Sequence, residues 1–304
     1  MTYRIDRAAV VGAGTMGGGI AALIASCGIP VTLLDMPGKE LTPSDAAKGL
    51  TLASSEIRNR IVNMLWERQL KAKPPALFTP KAAKLVTLGN LEDDFDKLRE
   101  ADWIVEAIVE QLAPKQELMA RIEAVRKPSS IVTSNTSGIP IAQIGAGRSQ
   151  DFRAHFLGAH FFNPPRYLKL LELIPTSDTD PAVVAFLKEW AAKTLGKGVV
   201  IAKDRPNFIA NRIGVFAMQA RMLYGIEHGY TVEEVDLLTG PLIGNPKTGT
   251  FRLTDLVGLD VAAHVTRNLY DAVPDDESRE MFRLPQVISD LIEAGRLGNK
   301  SGAG

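Results

Sequence analysis

Ala8-Ala-Val-Val-Gly12-Ala-Gly14-Thr-Met16-Gly17, with the helical run Gly18 to Ser26 behind it, decides the fold. Ala8 to Val11 reads as a short apolar strand that enters a Gly-x-Gly-x-x-Gly turn. Gly28 ends the helix, and Ile29 to Leu34 reads as the next strand, closing on Asp35. The acid lies 23 residues beyond Gly12. Strand, glycine turn, helix, strand and acid at that spacing form the dinucleotide-binding signature. Gly12 permits the tight turn, Gly14 lets a pyrophosphate approach amides at the helix N-terminus, and Gly17 lets helix pack on strand. Asp35 would accept hydrogen bonds from the adenosine ribose hydroxyls. It would repel a 2′-phosphate, and no arginine follows it, so NAD is favoured over NADP. The plain alternative is a tight turn without a ligand.

Outward from this unit, strands and helices alternate as far as residue 203. Thr42-Pro43-Ser44-Asp45 starts one long helix, with Thr42 as cap, Pro43 in the first turn and Asp45 as the acid at the third position. Leu50, Ser54, Ile57, Ile61, Met64 and Leu65 make an apolar-leaning stripe at helical spacing. Arg58, Arg60 and Arg68 lie opposite, with Lys71 and Lys73 beyond. They could meet a phosphorylated carrier, although a solvated basic face is the simpler reading. Lys84 to Leu88 reads as a strand, and Leu91 to Glu100 as a helix capped by Asn90. Asp102 to Glu110 is a near-continuous apolar strand carrying Glu106 and Glu110 at its C-terminal end, where ligands bind in open α/β sheets. Pro114 opens a helix with Lys115. Ile131 to Thr133 is a strand followed by Ser134-Asn-Thr-Ser137-Gly, whose small polar groups suit either a ligand or an ordinary turn. Pro181 to Leu195 is a helix and Gly198 to Ala202 a last strand. The pattern predicts a doubly wound, mostly parallel Rossmann-type sheet over 1–204.

His160-Phe-Phe-Asn163-Pro-Pro-Arg-Tyr-Leu-Lys-Leu-Leu-Glu172 is where the chemistry is expected. Phe156 and Leu157 precede His160 in a buried strand. Pro164-Pro165 stops regular pairing, and Leu168 to Ile174 returns as a second strand. Such a turn can bring an imidazole and a carboxylate face to face. The carboxylate would fix one ring tautomer and leave the other nitrogen as a proton acceptor. A structural histidine with a surface glutamate is the alternative, and this stretch alone does not separate the two.

From Pro206 the pattern changes to helices: Phe208 to His228, Val232 to Leu238, Thr254 to Asp271 and Leu284 to Ala294, with a Gly/Pro-rich link at 240–249. Residues 205–304 are therefore expected to form a separate helical domain. Asn207 and Asn211 are spaced i, i+4 on its first helix, and Asn211 could reach toward the strand of His160.

Composition excludes several classes. Lys plus Arg and Asp plus Glu number 35 each, so the formal charge is zero. A general affinity for nucleic acid or anionic membrane is not expected. No apolar run approaches the ~18 residues of a membrane span. One cysteine, Cys27, fits a reducing, cytoplasmic compartment. No secretory or transit signal opens the chain, and the glycine-rich ending at Gly304 suggests a piece of a longer protein.

These residues resemble the L-3-hydroxyacyl-CoA dehydrogenase family. The matching stretches are Gly12 to Gly17 with Asp35, Val105 to Glu110, Ser134 to Ser137, His160 to Pro164, Lys169 to Glu172, and Lys203 to Arg212, in the family's order. The resemblance implies oxidation of the 3-hydroxyl of an acyl-CoA in fatty-acid β-oxidation, with NAD as cofactor. His160 would be the general base and Glu172 its orienting partner. Ser137 and Asn211 would lie near the reacting oxygen. Met16, Glu110, Lys115, Ser137 and Asn163 would join the glycine loop as cofactor contacts. The site would lie between the sheet's C-terminal edge and the helical domain. No metal is implied. The partners the resemblance admits are a homodimer mate and a fused or separate enoyl-CoA hydratase. Arg166-Tyr167 departs from the smaller, more apolar residues usual after the Asn-Pro. Segment 43–80 shares little with the family's CoA-contacting helices. Two rival readings are a dehydrogenase of a CoA-free hydroxy acid and a non-catalytic, crystallin-like NAD-binding protein.

Overall fold

The computed structural model describes residues 3–304. Contacts divide the chain into two compact units, one ending at Arg205 and the other running Pro206–Gly304.

The first unit is built on eight strands: β1 (Ala8–Val11), β2 (Val31–Asp35), β3 (Val86–Asn90), β4 (Trp103–Glu106), β5 (Ile131–Ser134), β6 (Phe156–Phe161), β7 (Leu170–Pro175) and β8 (Gly198–Ile201). Their order is β3-β2-β1-β4-β5-β6-β7-β8. All neighbours pair in parallel except β6 and β7, which are antiparallel. This is the doubly wound sheet that the alternation predicts. Strand order reverses between β1 and β4, and ligands bind at such a switch point, outside the carboxyl ends of the strands. β1, β4 and β5 are buried throughout, as parallel strands covered on both faces must be.

The helices of this unit are α1 (Thr15–Ser26), α2 (Pro43–Ala47), α3 (Ser55–Arg58), α4 (Arg60–Leu70), α5 (Leu112–Val125), α6 (Ile141–Ile144), α7 (Gln150–Ala154) and α8 (Pro181–Thr194). α1 is buried from Gly17 to Ala25. Its glycines and alanines carry little side-chain bulk, so helix and sheet approach closely.

The single helix expected beyond Thr42 is three pieces. Thr42 does cap α2 with Asp45 in a capping box. The helix then stops because Gly49 adopts φ +72°, and Ser54 restarts it from an extended backbone. The buried face is Ile57, Val62 and Trp66, while Met64 is exposed. The stripe read from sequence therefore slips by a residue after the break. The basic face is mostly neutralised: Arg58 pairs with Glu92 and Asp93, and Arg60 with Asp45.

Other boundaries move as well, among them the start of the strand expected from Leu168, which begins at Leu170. The strand expected over 102–110 ends at Glu106, because the Glu106 carboxylate accepts the Ile108 N–H at 2.8 Å and curls the chain. The helix expected over 91–100 is a 3₁₀ segment, Phe95–Glu100. Before it, the Asn90 side-chain oxygen takes both the Glu92 and Asp93 amides and forms a turn. The strand expected from Lys84 starts at Val86, after a 3₁₀ segment Pro80–Leu85.

The second unit is helical, with α9 (Ala210–Glu227), α10 (Val232–Thr239), α11 (Phe251–Val257), α12 (Leu259–Ala272) and α13 (Gln286–Glu293). Its core joins Val215, Leu269, Val273 and Phe282. The run expected over 254–271 is split between α11 and α12 by Gly258, at φ +100°. Asn207 does not lie on the first helix. It takes φ +59°, outside α9, so the i, i+4 face shared with Asn211 is not formed. No helix among the described residues is long and apolar enough to cross a membrane.

Candidate active site

The glycine turn between β1 and α1 is fixed by close contacts. Gly12 sits at φ +97°, and a Cβ there would come within 2.5 Å of the Ala107 carbonyl oxygen. A Cβ on Gly17 would lie 1.8 Å from the Gly12 carbonyl oxygen. Gly14 is different: nothing lies within 4 Å of where its Cβ would stand. That open space faces the first turn of α1, which carries no acidic residue and no side-chain cap. Uncapped amides and a positive helix end beside open space suit a pyrophosphate. Met16 is partly buried and packs against the core.

Asp35, at the end of β2, accepts the Ala13 amide on Oδ2 and the Met36 amide on Oδ1, both at 2.6 Å. Its carboxylate therefore supports the glycine turn as well as facing a cleft of about 450 Å³, lined in part by Gly12, Gly14, Leu91, Ile108 and Arg121. Arg121 was not singled out in the sequence. It stacks on Phe95, 4.1 Å from the ring centre, and its guanidinium donates to the Leu91 carbonyl. The open Gly14, the bare helix end and the carboxylate in an apolar-walled cleft fit a dinucleotide.

Downstream, β6 and β7 run antiparallel with His160 directly opposite Glu172. Both are almost wholly buried, at 3% and 1% exposure. His160 Nδ1 lies 2.8 Å from Glu172 Oε2. Against an ionised carboxylate, which can only accept, Nδ1 is the ring nitrogen that would carry the proton. Nε2 lies 3.0 Å from the Ser137 hydroxyl. The Phe162 ring centre stands 4.5 Å from that of His160. Asn135 Oδ1 accepts the Phe161 amide at 2.9 Å, tying the loop after β5 to the end of β6.

Glu110 and Lys115, expected as cofactor contacts, bond to protein groups. Lys115 is 1% exposed and reaches Glu106 Oε1 at 2.6 Å and Glu110 Oε2 at 3.3 Å. Glu110 Oε1 accepts the Thr136 hydroxyl and the Ser137 and Gly138 amides, the last two at 2.8 and 3.1 Å. Burial pushes the Glu110 carboxyl up, but the Thr136 hydroxyl, the Lys115 charge and the two amides outweigh it and hold it below its ordinary value. Asn163 is exposed and, with Thr15, Arg68, Lys73 and Arg166, lines a second cleft of about 310 Å³. Asn211 is the second residue of α9 in the other unit, and its expected place near a reacting oxygen rests on the resemblance alone.

The turn between β6 and β7 is held by a lysine that the sequence pattern gave no reason to single out. Lys197, between two glycines and 6% exposed, donates to the Pro165 carbonyl and, at 2.7 Å, to that of Leu168. Burial lowers its pKa to about 8, against a small opposing pull from Cys27. From the other side, Arg166 donates to the carbonyls of Pro75 and Leu77. No group of three or more metal-ligating side chains occurs among the described residues.

Comparison with known proteins bears on the whole chain. The family described as 3-hydroxyacyl-CoA dehydrogenase, NAD binding domain, matches residues 7–205, and its C-terminal domain matches 208–304. A "Probable 3-hydroxyacyl-CoA dehydrogenase" of Bacillus subtilis is 52% identical over 304 residues. That match takes in 100% of this chain and 38% of the relative, so the chain spans well under half of that protein. A protein of the same description from Deinococcus radiodurans is 46% identical over 301 residues, with 99% of this chain and 82% of the relative covered. Among solved structures, FadB2 of Mycobacterium tuberculosis superposes with a TM-score of 0.78 at 32% identity, covering 99% of this chain and 98% of that one.

Proposed function

This chain belongs to the 3-hydroxyacyl-CoA dehydrogenase family and carries its NAD-binding domain, and we propose that it oxidises L-3-hydroxyacyl-CoA to 3-ketoacyl-CoA with His160 as general base. NAD, when bound, supplies the hydride acceptor. The residues that would hold it are the glycine turn, through Gly14 and the open end of α1, and Asp35 in the cleft beside them. His160 Nε2 takes the 3-hydroxyl proton as the carbon is oxidised. Glu172 keeps the ring turned with Nδ1 protonated and stabilises the imidazolium that forms. Ser137, 3.0 Å from Nε2, marks where the alcohol oxygen would sit and can donate to it. In the reverse direction, the protonated imidazole and the Ser137 hydroxyl would stabilise the developing alkoxide.

The observation that carries this reading is the buried, in-register pairing of Glu172 with His160, whose imidazole Nε2 lies 3.0 Å from the Ser137 hydroxyl. A carboxylate and an imidazole at 1% and 3% exposure are costly to bury unless something needs them. That favours a reacting site over a crystallin-like role. The acyl-CoA is expected to enter past Arg68, Lys73 and Arg166, cations that line the cleft beside Asn163. A reducing, cytoplasmic setting agrees with the single cysteine.

NADH oxidation by acetoacetyl-CoA and by free acetoacetate tests the substrate class. Turnover with the thioester alone is expected. Turnover with the free acid alone would move the enzyme to a CoA-free substrate. A series of 3-ketoacyl-CoA lengths then sets the chain-length preference.

A further inference from the structure

The two stretches where the sequence departs from the family resemblance, Arg166-Tyr167 and 43–80, meet in the structure. Arg166 Nη1 donates to the Pro75 carbonyl at 2.9 Å and to that of Leu77. The Tyr167 hydroxyl donates to the same Pro75 oxygen at 3.1 Å. The guanidinium also lies 5.0 Å from the centre of the Phe78 ring and 5.1 Å from that of Tyr167. Pro74 and Pro75 have no N–H, so this segment cannot knit itself into a helix or a ladder. Residues 71–79 form neither. Their carbonyls need donors from elsewhere, and Arg166 and Tyr167 supply them.

The turn that offers these donors is itself fixed. Lys197 donates to the carbonyls of Pro165 and Leu168, on either side of the Arg166-Tyr167 pair. A Cβ on Gly19 of α1 would come within 3.0 Å of the Pro165 ring, so proline and helix are in close contact. The strapped segment forms one wall of the cleft of about 310 Å³ beside Asn163, through Lys73, Pro74 and Ala76. Arg68, Lys73 and Arg166 line that cleft, and no carboxylate among the described residues does.

We propose that Arg166 and Tyr167 are specificity-determining residues, which strap Lys73 to Phe78 onto the catalytic turn and so fix the cleft in the shape that takes the phosphate-bearing end of the substrate. This inference rests on the reading of that cleft, given above, as the entry for acyl-CoA. Three cations without a counter-charge favour a multiply charged anion. They bind it well only if their spacing is set beforehand, because ordering a loop on binding subtracts from affinity. Arg166 brings both charge and strap. Tyr167 brings no charge, so its contribution is the strap alone.

Arg166→Met, Arg166→Lys and Tyr167→Phe are compared with the wild type in NADH oxidation by acetoacetyl-CoA and by the phosphate-free N-acetylcysteamine thioester of acetoacetate. kcat, KM and the exchange rate of the Phe78 amide, which bonds to Ser26 Oγ at 3.0 Å, are measured for each. Arg166→Met is expected to raise the acetoacetyl-CoA KM about 10–100-fold, with a much smaller change in kcat. Tyr167→Phe should raise it about 3–10-fold. In both variants kcat/KM should fall further for the CoA thioester than for the truncated one, and the Phe78 amide should exchange faster. Arg166→Lys keeps the charge without the flat guanidinium between two carbonyls and Phe78, and should recover only part of the loss.

Full recovery by lysine together with an unchanged Tyr167→Phe would make Arg166 a phosphate contact alone and overturn the proposal. An Arg166→Met loss that is equal for both thioesters would overturn it too. Should Arg166→Met fail to fold, Tyr167→Phe removes one oxygen from an exposed side chain and carries the test by itself. An unchanged KM with an unchanged Phe78 exchange rate then contradicts the strap. A wild type that works equally well on the two thioesters would overturn the reading of the cleft. A preference for CoA that survives both substitutions overturns this inference alone.

Discussion

His160 and Glu172 stand opposite one another across the antiparallel pair β6–β7, with Nδ1 2.8 Å from Oε2 and both side chains buried. Removing the charge while keeping the shape separates orientation from packing. Glu172→Gln should fold with a Tm close to that of the wild type and bind NADH normally. Its kcat should fall by about 10²-fold or more, since the imidazolium loses its counter-charge and the wrong tautomer becomes accessible. Steady-state kinetics beside a thermal melt checks this, and an unchanged kcat would remove Glu172 from the mechanism.

Two glycines of one turn should respond in opposite ways. A methyl on Gly17 would meet the Gly12 carbonyl oxygen at 1.8 Å, so Gly17→Ala must displace backbone and should cost about 1–3 kcal/mol of stability. A methyl on Gly14 would enter open space. Gly14→Ala should therefore melt like the wild type while the NADH Kd rises, because the methyl stands where the pyrophosphate would approach. Calorimetry and NADH titration of both proteins distinguish fold from ligand.

Lys197 makes a pH-dependent contribution of known sign. Its folded-state pKa of about 8 lies below the ordinary 10.5. Between these values the unfolded chain binds more protons, so stability owed to Lys197 rises with pH across that window and levels off outside it. Lys197→Met leaves the Pro165 and Leu168 carbonyls without this donor, at a cost of about 1–3 kcal/mol. Denaturant unfolding from pH 7 to 10.5 should show the stability gap between wild type and Lys197→Met widening. A gap that narrows would contradict the assignment.

Glu110 works at the acid end. Its folded carboxyl is held below its ordinary value by Thr136, Lys115 and the loop amides, against its burial. Its contribution is present above the ordinary carboxylate range and is lost as pH falls through the depressed folded value. The stability advantage of wild type over Glu110→Gln should therefore shrink on acidification below about pH 4.5. Unfolding curves from pH 6 to 3 measure it.

Much of the sheet was legible because its requirements are local. The Gly12 turn demands a positive φ, β1 before it is apolar end to end, and Asp35 closes β2. The β6–β7 hairpin could be read from two apolar runs around Pro164-Pro165. The breaks in 42–70 were hidden because apolar spacing runs on through Gly49, whose φ of +72° ends α2. The early end of β4 depends on Glu106 turning back to its own chain at Ile108, which no periodicity reveals. In sequence Lys197 looks like a solvated lysine, and Lys115 is expected as a cofactor contact from the resemblance. Only the fold shows that carbonyls surround the first and carboxylates the second. Asn211 stayed at the level of resemblance, while Asn207 left the helix because its backbone turns left-handed at φ +59°.

The most direct test is the kinetics of His160→Gln with acetoacetyl-CoA and NADH, set beside its NADH affinity. The account predicts an NADH Kd within about twofold of the wild type and a kcat lower by about 10²–10⁴-fold. Turnover at the wild-type rate would show that the proton is handled elsewhere.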